Sequence, residues 1–366
     1  MKILVAGAGP AGLYFSFLIK RRNPSWDVRV AEQNAAGSTF GFGVVFSDRA
    51  LEFLRADDPQ TYDLITPAME SWSDITVVHR GTPVVIDGIG FAAIGRLRLL
   101  ELLRQRAGSV GIVPEYNKPI DDSFSLDDFD LVVAADGVNS FVRRCGDFGT
   151  SVEHLTNKFA WYGTPRIFHT LTQTFVESEH GTFNAHHYRH SPRMSTFVVE
   201  CDAATWEKAG FARKNEDETN RTLEGVFAPV LAGHRLVSNK SVWRNFPNLR
   251  NERWSVGNMV LIGDAQRTAH FSIGSGTRLA MEDAIALDKA LAEAGSVPEA
   301  LAAFETVRRP IVEKLVAAAD ASGQWYERFP EHMPLSPREF AWSYIQRSGR
   351  IDPERLRKIA PRFVGG

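Results

Sequence analysis

Three glycines near the N-terminus have the spacing of a phosphate-binding turn. Gly7, Gly9 and Gly12 follow the apolar run 2–6 and precede a second apolar run, 13–20. In a Gly-x-Gly-x-x-Gly turn between a strand and a helix, the first glycine permits the tight turn. The second lets backbone N–H groups approach a pyrophosphate, and the third lets the helix pack closely on the strand. This pattern predicts a dinucleotide held at the positive end of a helix.

An acidic residue stands where such a turn needs a ribose ligand. The apolar-rich run 27–31 ends at Glu32, about 20 residues beyond the glycines, and Gln33 follows it. A carboxylate at this distance is expected to bind the adenosine ribose of a dinucleotide. The turn and this acid are compatible with either NAD or FAD.

Two more apolar runs end in an acid and a glycine. Asp136 and Gly137 follow the run 131–135, and Asp264 follows the run 259–263. The glycine-rich stretch 270–276 then precedes a predicted helix, whose unpaired amides can stabilise negative charge on a ligand. Asp136 also fits a simpler role as a carboxylate that caps its own turn.

Candidate groups for proton transfer or hydrogen bonding to a substrate lie in two places. His186 and Tyr188 are two residues apart on a predicted strand and therefore share one face, whereas His187 points the other way. His270 opens the glycine-rich stretch. A histidine can act as an acid or a base near neutral pH, but a single buried histidine is often structural. Aromatic residues nearby are expected to form core or pocket wall: Trp161, Tyr162 and Phe183.

Three blocks together resemble the single-component (class A) FAD-dependent aromatic hydroxylases of the para-hydroxybenzoate hydroxylase fold. These are the glycine turn 7–12, the stretch 135–143, and Gly263-Asp264 leading into 274–276. The helix start at Arg96 also resembles that family's flavin-contacting arginine. The resemblance implies FAD as cofactor, held by Gly7, Gly9, Ala11, Gly12, Glu32, Gln33, Arg96, Asp136, Asp264, Gly274, Ser275 and Gly276.

The same resemblance implies a reaction and three reactants. NADH or NADPH would bind transiently and reduce the flavin. A separate nicotinamide-binding domain is not expected, because the sequence has no second glycine-rich turn after a strand. Reduced flavin would react with molecular oxygen to give a C4a-hydroperoxide, which hydroxylates an electron-rich aromatic ring. The protein would supply orientation, exclusion of water and electrostatic stabilisation, with His186, Tyr188 and His270 as the catalytic candidates.

Within this family, four stretches resemble the branch that hydroxylates salicylyl-CoA and anthraniloyl-CoA: 41–47, 194–200, 269–276 and 347–351. The expected substrate is therefore an ortho-hydroxy or ortho-amino benzoyl-CoA thioester. Some members continue into a barrel-shaped reductase domain, which this sequence, ending at Gly366, is expected to lack. Four arginines are candidates for the CoA phosphates: Arg189, Arg193, Arg347 and Arg350.

Some residues depart from the family pattern, and other functions stay open. Ile273 stands where most of the superfamily has proline, and Gln266 and Arg267 replace the usual alanine and histidine, which leaves the local substrate contacts open. The alternatives are hydroxylation of tryptophan or another free aromatic compound, a flavin-dependent reductase or dehydrogenase, and a flavin-carrying protein without turnover.

Hydrophobic patterns predict the elements that position these residues. Alternation over 73–90 and 158–202 predicts antiparallel strands, and 242–246 predicts a further strand. The stretches 96–107 and 202–231 are predicted to be helical, and Asp48 is a candidate helix cap. We expect an α/β fold, with a Rossmann-like FAD-binding domain, an inserted, mainly antiparallel substrate-binding sheet and a C-terminal helical segment packed on both. The expected boundaries are 1–72, 91–157 and 255–296 for the first, 73–90 and 158–254 for the second, and 297–366 for the third.

Composition narrows the partners. A net charge of −2 gives no general attraction for nucleic acid or an anionic membrane, and no apolar run approaches the ~20 residues that span a bilayer. The two cysteines, Cys145 and Cys201, have no metal-binding or disulfide spacing. We therefore expect a cytoplasmic protein without a metal, a monomer or homodimer. Its partners, as the family resemblance implies, are a small aromatic molecule and oxygen.

Overall fold

A computed structural model describes residues 1–47 and 51–365, so the candidate cap Asp48 lies outside the described residues. The strands are β1 (Lys2–Ala6), β2 (Asp27–Ala31), β3 (Gly43–Ser47), β4 (Glu70–Trp72), β5 (Ile75–His79), β6 (Thr82–Ile86), β7 (Phe91–Gly95), β8 (Leu131–Ala134), β9 (Thr150–Thr164), β10 (Leu171–Ser178), β11 (Gly181–Ser191), β12 (Met194–Cys201), β13 (Val237–Ser238), β14 (Arg244–Asn251), β15 (Ser255–Val256) and β16 (Met259–Leu261).

The helices are α1 (Pro10–Arg22), α2 (Glu52–Asp57), α3 (Pro59–Ile65), α4 (Arg96–Gly108), α5 (Phe141–Arg144), α6 (Ala203–Lys208), α7 (Glu216–Val226), α8 (Ala228–Leu231), α9 (Gly276–Glu293), α10 (Val297–Glu327), α11 (Phe329–His332), α12 (Pro337–Gln346), α13 (Pro353–Ile359) and α14 (Pro361–Gly365). The described part of the chain thus has the mixed α/β character that the sequence predicts.

A five-stranded sheet gathers the three acid-and-glycine sites. Its order is β15-β16-β8-β1-β2, and β1, β2, β8 and β16 run parallel. The carboxyl ends of parallel strands meet at one edge of a sheet, which is where ligands bind in such folds. The glycine turn after β1, Asp136 after β8 and Asp264 after β16 therefore lie side by side, as the Rossmann-like prediction requires.

Both faces of this sheet are covered, which explains the uninterrupted apolar strands. Ile3 and Val5 of β1 pack into a cluster with side chains of α1, α4 and α9, whereas Leu4 packs on the opposite face with Phe129 and Phe148. Parallel strands buried on both faces lack polar alternation. This confirms the Rossmann-like part of the predicted fold.

A second sheet of eight strands is antiparallel except where β10 runs parallel to β5. Its order is β13-β9-β12-β11-β10-β5-β6, and β14 pairs with β9 as well. The register aligns four residues in one row across neighbouring strands: Gln173, His186, Val198 and Trp161. β9 begins at Thr150, ahead of the boundary at 158 that we expected, so the division into domains stays a proposal.

The C-terminal helices pack into the hydrophobic clusters of both the five-stranded and the eight-stranded sheet. Ala300, Leu301 and Phe304 of α10 join the core of the five-stranded sheet. Tyr326 of α10 and Phe340 of α12 instead pack with residues of the eight-stranded sheet. The segment therefore joins the two parts of the molecule.

A buried ion cluster fixes the loop after β16 to the helices. Asp283 of α9 is fully buried and accepts hydrogen bonds from Arg267 and, at 2.8 Å, from Arg308 of α10. The same carboxylate accepts from the backbone N–H of Gly263 at 3.0 Å. These two arginines, each about 5% exposed, hold the pKa of Asp283 low despite its burial. The cluster thereby positions the residues that precede Asp264.

Replacing this carboxylate by an amide should destabilise the protein strongly. Asp283→Asn removes the charge that compensates two buried guanidinium groups, and breaking such a buried pair costs about 3–5 kcal/mol. The half-exposed pair of Arg250 and Asp320 is the matched control, because Asp320→Asn should cost about 1 kcal/mol or less. Urea denaturation measures both free energies of unfolding. Equal losses in the two variants would contradict this role for Asp283.

Candidate active site

The glycine turn is packed too tightly for side chains at two of its three positions. A Cβ atom on Gly7, whose φ is 96°, would lie 2.5 Å from the carbonyl oxygen of Ala135. A Cβ atom on Gly12 would lie 2.0 Å from the carbonyl oxygen of Gly7. Gly9 faces open space, since its nearest neighbour would be 4.0 Å from an added Cβ. Gly7 and Gly12 thus serve the packing, and Gly9 leaves room for a ligand's phosphates.

A small cavity of about 100 Å³ lies beside this turn, at the end of β2. Glu32 lines it and accepts hydrogen bonds from the N–H groups of Ala8, at 2.8 Å, and Asn34, at 2.9 Å. These bonds fix the carboxylate at the position expected for a ribose ligand. Gln33 is exposed and does not line this cavity. Asn34 lines it instead.

A larger cavity of about 310 Å³ continues from the first, because Gly9 and Arg96 line both. Arg96 begins α4, and its Nε atom is buried without a hydrogen-bond partner. A buried guanidinium nitrogen without a partner indicates a ligand atom at this point. The joined cavities form an extended channel from Glu32 to the space between the two sheets, which fits a dinucleotide with a ring system at its far end.

The N-terminus of α9 faces the larger cavity. Gly274 has a φ of 60°, and a Cβ atom on it would lie 3.0 Å from the side chain of Val45. Ser275 precedes the helix without capping it through its side chain, and 274–276 all line the cavity. The first amides of α9 are therefore available to a ligand, and they can stabilise negative charge on a reduced flavin ring.

Other predicted cofactor residues differ in their positions. Ala11 and Asp264 line the larger cavity. Asp136 does not: its neighbours Ala135 and Gly137 do, and its Oδ2 atom accepts from the N–H of Phe141 at 2.8 Å. Burial raises the pKa of Asp136. This geometry favours the turn-capping role for Asp136 over direct contact with a cofactor.

Gln266 and Arg267 lie away from the cavity, and both are buried. Arg267 forms the ion pair with Asp283. The departure from the family pattern at these two positions therefore changes the support of the loop rather than the wall of the cavity.

The far end of the cavity is a mostly apolar pocket with few polar groups. The row of Gln173, His186, Val198 and Trp161 forms one wall. Aromatic and aliphatic side chains complete it: Phe91, Phe159, Leu171, Phe246 and Phe271. His187 faces the other side of the sheet, where its Nε2 atom lies 2.8 Å from the hydroxyl of Thr174. The prediction that His186 and Tyr188 share a face is confirmed, because both line the cavity.

The three catalytic candidates differ in their access to the cavity and in their hydrogen bonds. Tyr188 donates its hydroxyl hydrogen to the carbonyl oxygen of Gly43 at 3.0 Å, and burial raises its pKa. His270 does not line the cavity: it stacks behind Phe271, and its Nδ1 atom lies 2.8 Å from the hydroxyl of Ser272. His186 is thus the candidate whose ring borders the cavity without a hydrogen bond that engages its Nε2 atom.

Sequence reasoning missed two polar residues of this region. Gln173 lines the cavity and accepts a hydrogen bond from the hydroxyl of Tyr326 at 3.1 Å. Glu200 lies just behind His186, with its Oε2 atom 3.6 Å from the Nε2 atom of the histidine. The sequence feature that could have identified Glu200 is its position as an acidic residue within the apolar run 195–201, two residues from Val198 and therefore on the same face of the strand.

Comparison with known proteins identifies the family to which this chain belongs. A family model described as an FAD binding domain matches residues 128–319. The sequence is 42% identical to a salicyloyl-CoA 5-hydroxylase of a Streptomyces species, over 95% of this chain and 70% of that protein. The chain belongs to the FAD-dependent aromatic hydroxylases. This hydroxylase therefore uses FAD, with NAD(P)H as the usual co-substrate of the class.

Two further comparisons agree. The hydroxylase is 37% identical to a 3-hydroxy-4-methyl-anthranilyl-[aryl-carrier protein] 5-monooxygenase of Streptosporangium sibiricum, over 90% of each chain. Its fold matches a crystal structure of 2-methyl-3-hydroxypyridine-5-carboxylic acid oxygenase with a TM-score of 0.75, covering 98% of this chain and 96% of the other at 19% identity. Within the described residues, no helix is long and apolar enough to cross a membrane.

Changing the middle glycine of the turn should separate cofactor binding from folding. Gly9→Ala adds a methyl group that meets no protein atom closer than 4.0 Å but enters the space of the phosphates. We expect the dissociation constant of FAD to rise at least about tenfold, equal to 1.4 kcal/mol, with the melting temperature of the apoprotein unchanged. Quenching of FAD fluorescence measures the affinity.

The control for this variant is Gly108→Ala, at the far end of α4, where an added Cβ also meets no atom within 4 Å. It should bind FAD like the wild type. Wild-type affinity in Gly9→Ala would show that the phosphates bind elsewhere.

Proposed function

We propose that this hydroxylase acts on an ortho-hydroxy or ortho-amino benzoyl thioester such as salicylyl-CoA, and that it hydroxylates carbon 5 of the ring. The observation that carries the proposal is the similarity to two enzymes with such substrates. One is named for salicyloyl-CoA and the other for an anthranilyl group on a carrier protein. An apolar pocket with few polar groups suits the aromatic part of such a molecule.

We propose the following assignment of the cavities. The turn at Gly9 would hold the pyrophosphate of FAD, Glu32 its ribose, and the amides at the start of α9 its ring. Once bound and reduced by NAD(P)H, FAD activates molecular oxygen for transfer to the substrate ring. Phe159, Phe246 and Phe271 would orient the substrate and exclude water, because a wet site would release peroxide instead of hydroxylated product.

The polar groups of the pocket would bind the substituent that activates the ring. His186 lines the cavity, and burial together with Arg347 lowers its pKa to about 3, so the imidazole is neutral at physiological pH. A neutral imidazole can donate one hydrogen bond through one ring nitrogen. This suits a hydrogen bond to a phenolate oxygen, the form of the substrate that gives electrons to the ring most readily, and it disfavours His186 as a strong base.

Among the four arginines considered for the CoA phosphates, we propose Arg350. Arg189 is already paired with Glu70 at 2.7 Å, and Arg347 is stacked on the ring of Tyr344 at 3.9 Å. Partial burial, with Arg278 and Arg355 close by, lowers the pKa of Arg350. Arg278 is paired with Glu282 at 2.7 Å, whereas Arg350 and Arg355 form no salt bridge within the described residues. These two guanidinium groups favour a polyanion such as the CoA phosphates.

The thioester and the free acid should differ in their effect on the enzyme. We expect salicylyl-CoA to accelerate NAD(P)H oxidation by the purified flavoprotein much more than salicylate does, by about tenfold or more in kcat/KM. Oxygen consumption and product analysis for the 5-hydroxylated ring give the measurement. Equal kcat/KM for the ester and the acid would refute the thioester proposal.

The same assay, run with tryptophan and other free aromatic acids, distinguishes the remaining functions. A hydroxylase of free aromatic compounds would prefer those substrates. A reductase or dehydrogenase would consume no oxygen in response to substrate.

Removing the Arg350 side chain should weaken binding of the thioester without changing chemistry. Arg350→Ala loses a charge-assisted hydrogen bond to phosphate, so we expect KM for the CoA ester to rise by about tenfold while kcat stays near the wild-type value. KM for the free acid, which lacks the phosphates, should not change. Arg235→Ala, at a surface ion pair with Glu224, is the control. Unchanged KM for the ester would exclude Arg350 from the binding site.

We also propose a cytoplasmic location. The two cysteines, Cys145 on the surface and Cys201 in the core, are both unpaired. Unpaired thiols and a nicotinamide co-substrate are typical of a reducing compartment.

A further inference from the structure

A buried carboxyl group stands directly behind the pocket wall. Glu200 of β12 is 2% exposed. Its Oε1 atom accepts a hydrogen bond from the side-chain amide of Asn157 at 2.9 Å. Its Oε2 atom has no hydrogen-bond partner, and neither has the Nε2 atom of His186, 3.6 Å away. Both atoms are inaccessible to solvent, so two unpaired polar atoms face each other in the dry interior.

The sheet register creates this pair. His186 lies opposite Val198 on the neighbouring strand, and Glu200 is two residues further along β12. Residues two apart on a strand share a face, so Glu200 is a diagonal neighbour of His186. The contact is therefore fixed by strand pairing rather than by a mobile side chain.

No arginine or lysine of the described chain forms a salt bridge with Glu200. The charged and titratable groups that approach it come from three other elements. They are His270 from the loop after β16, Glu327 and Tyr326 from α10, and His186 itself from β11. Arg347 of the C-terminal segment stacks on Tyr344 and donates to the carbonyl oxygen of Ser272. The carboxyl group therefore lacks a cation that would stabilise its ionised form.

The two unpaired atoms are 3.6 Å apart, and one proton between them satisfies both once a small side-chain shift brings them to hydrogen-bond distance. A carboxyl group without a counter-ion in a dry interior is more stable as the neutral acid, and burial raises the pKa of Glu200 accordingly. Asn157 donates to Oε1, which makes Oε1 the carbonyl oxygen and leaves the hydrogen on Oε2. That hydrogen lies on the side of His186 Nε2, whose lone pair can accept it.

We propose that Glu200 is a neutral carboxylic acid that donates its hydrogen to Nε2 of His186 and thereby holds His186 in the tautomer with hydrogen on Nδ1. Nε2 is buried, so Nδ1 is the ring nitrogen left to meet a molecule in the cavity. Glu200 is then a positioning residue: it never touches the substrate, and it makes the pocket a hydrogen-bond donor.

The donor would act on the substituent oxygen of the substrate. Hydroxylation draws electrons from the ortho-hydroxyl oxygen into the ring, so the substrate reacts best as the phenolate, whose proton passes to solvent as the substrate binds. A fixed N–H in a dry pocket stabilises that phenolate. No proton needs to leave Glu200 during this step. The action on substrate rests on the proposed function, whereas the tautomer of His186 does not.

Two substitutions of Glu200 distinguish a hydrogen-bond donor from a group that must ionise. In Glu200→Gln the amide oxygen can still accept from Asn157 and the amide nitrogen can still donate to His186. We expect kcat within about threefold of the wild type. Glu200→Leu has no donor and should lower kcat by about 100-fold, with a smaller change in KM, because the imidazole loses its preferred tautomer. Glu177→Gln is the control, because this carboxylate on strand β10 forms a half-exposed ion pair with Arg80, and it should behave like the wild type.

The tautomer itself is read by ¹⁵N NMR of histidine-labelled holoenzyme without substrate, with His186→Gln used to assign the signal. We expect hydrogen on Nδ1 of His186 in the wild type and in Glu200→Gln. This measurement decides the tautomer even if Glu200→Leu does not fold and even if no thioester is turned over.

Three results would overturn the proposal. Hydrogen on Nε2 of His186 in the wild type would show that Glu200 accepts rather than donates. An equal loss of kcat in the Gln and Leu variants would show that Glu200 must ionise or transfer a proton. Wild-type kcat in a folded Glu200→Leu variant would show that the carboxyl group has no influence on the reaction.

Discussion

The contact between the glycine turn and the end of β8 is the constraint on which the binding site depends. Gly7 and Gly12 allow backbone atoms to approach where a Cβ atom would come within 2.5 Å or less of a carbonyl oxygen. The contact fixes the start of α1 against two parallel strands. The amides at that helix end are therefore held rigidly toward the channel, and binding a dinucleotide requires little reorganisation of the chain.

A second constraint holds the opposite side of the channel. Asp283 joins the backbone at Gly263 to arginines from the loop and from α10, so the positions of Asp264 and of the C-terminal helices are coupled. The ions of this cluster are desolvated, but their charges and hydrogen bonds compensate one another. Its geometry matters more for the site than its net contribution to stability. Two elements that are distant in sequence are thereby kept in one arrangement around the cofactor channel.

The electrostatic properties of the substrate pocket depend on the exclusion of water. Its wall is aromatic and aliphatic, and its polar residues are uncharged or engaged with one another: Gln173 with Tyr326, Tyr188 with the backbone, and His186 beside Glu200. In such surroundings a hydrogen bond is stronger than in water, and an unpaired charge is strongly disfavoured. The pocket therefore suits a substrate oxygen whose negative charge is met by a fixed hydrogen-bond donor.

The sequence alone determined the parts that follow from local rules. Glycine spacing, apolar strands and an acid after each strand predicted a dinucleotide-binding edge, which the family resemblance assigned to FAD, and a period of two placed His186 and Tyr188 on one face. The start of β9 at Thr150, the exposure of Gln33, the turn-capping bond of Asp136 and the position of His270 behind Phe271 were decided by tertiary structure. So was the pairing of His186 with Glu200, because the register between strands joins residues that no local pattern relates.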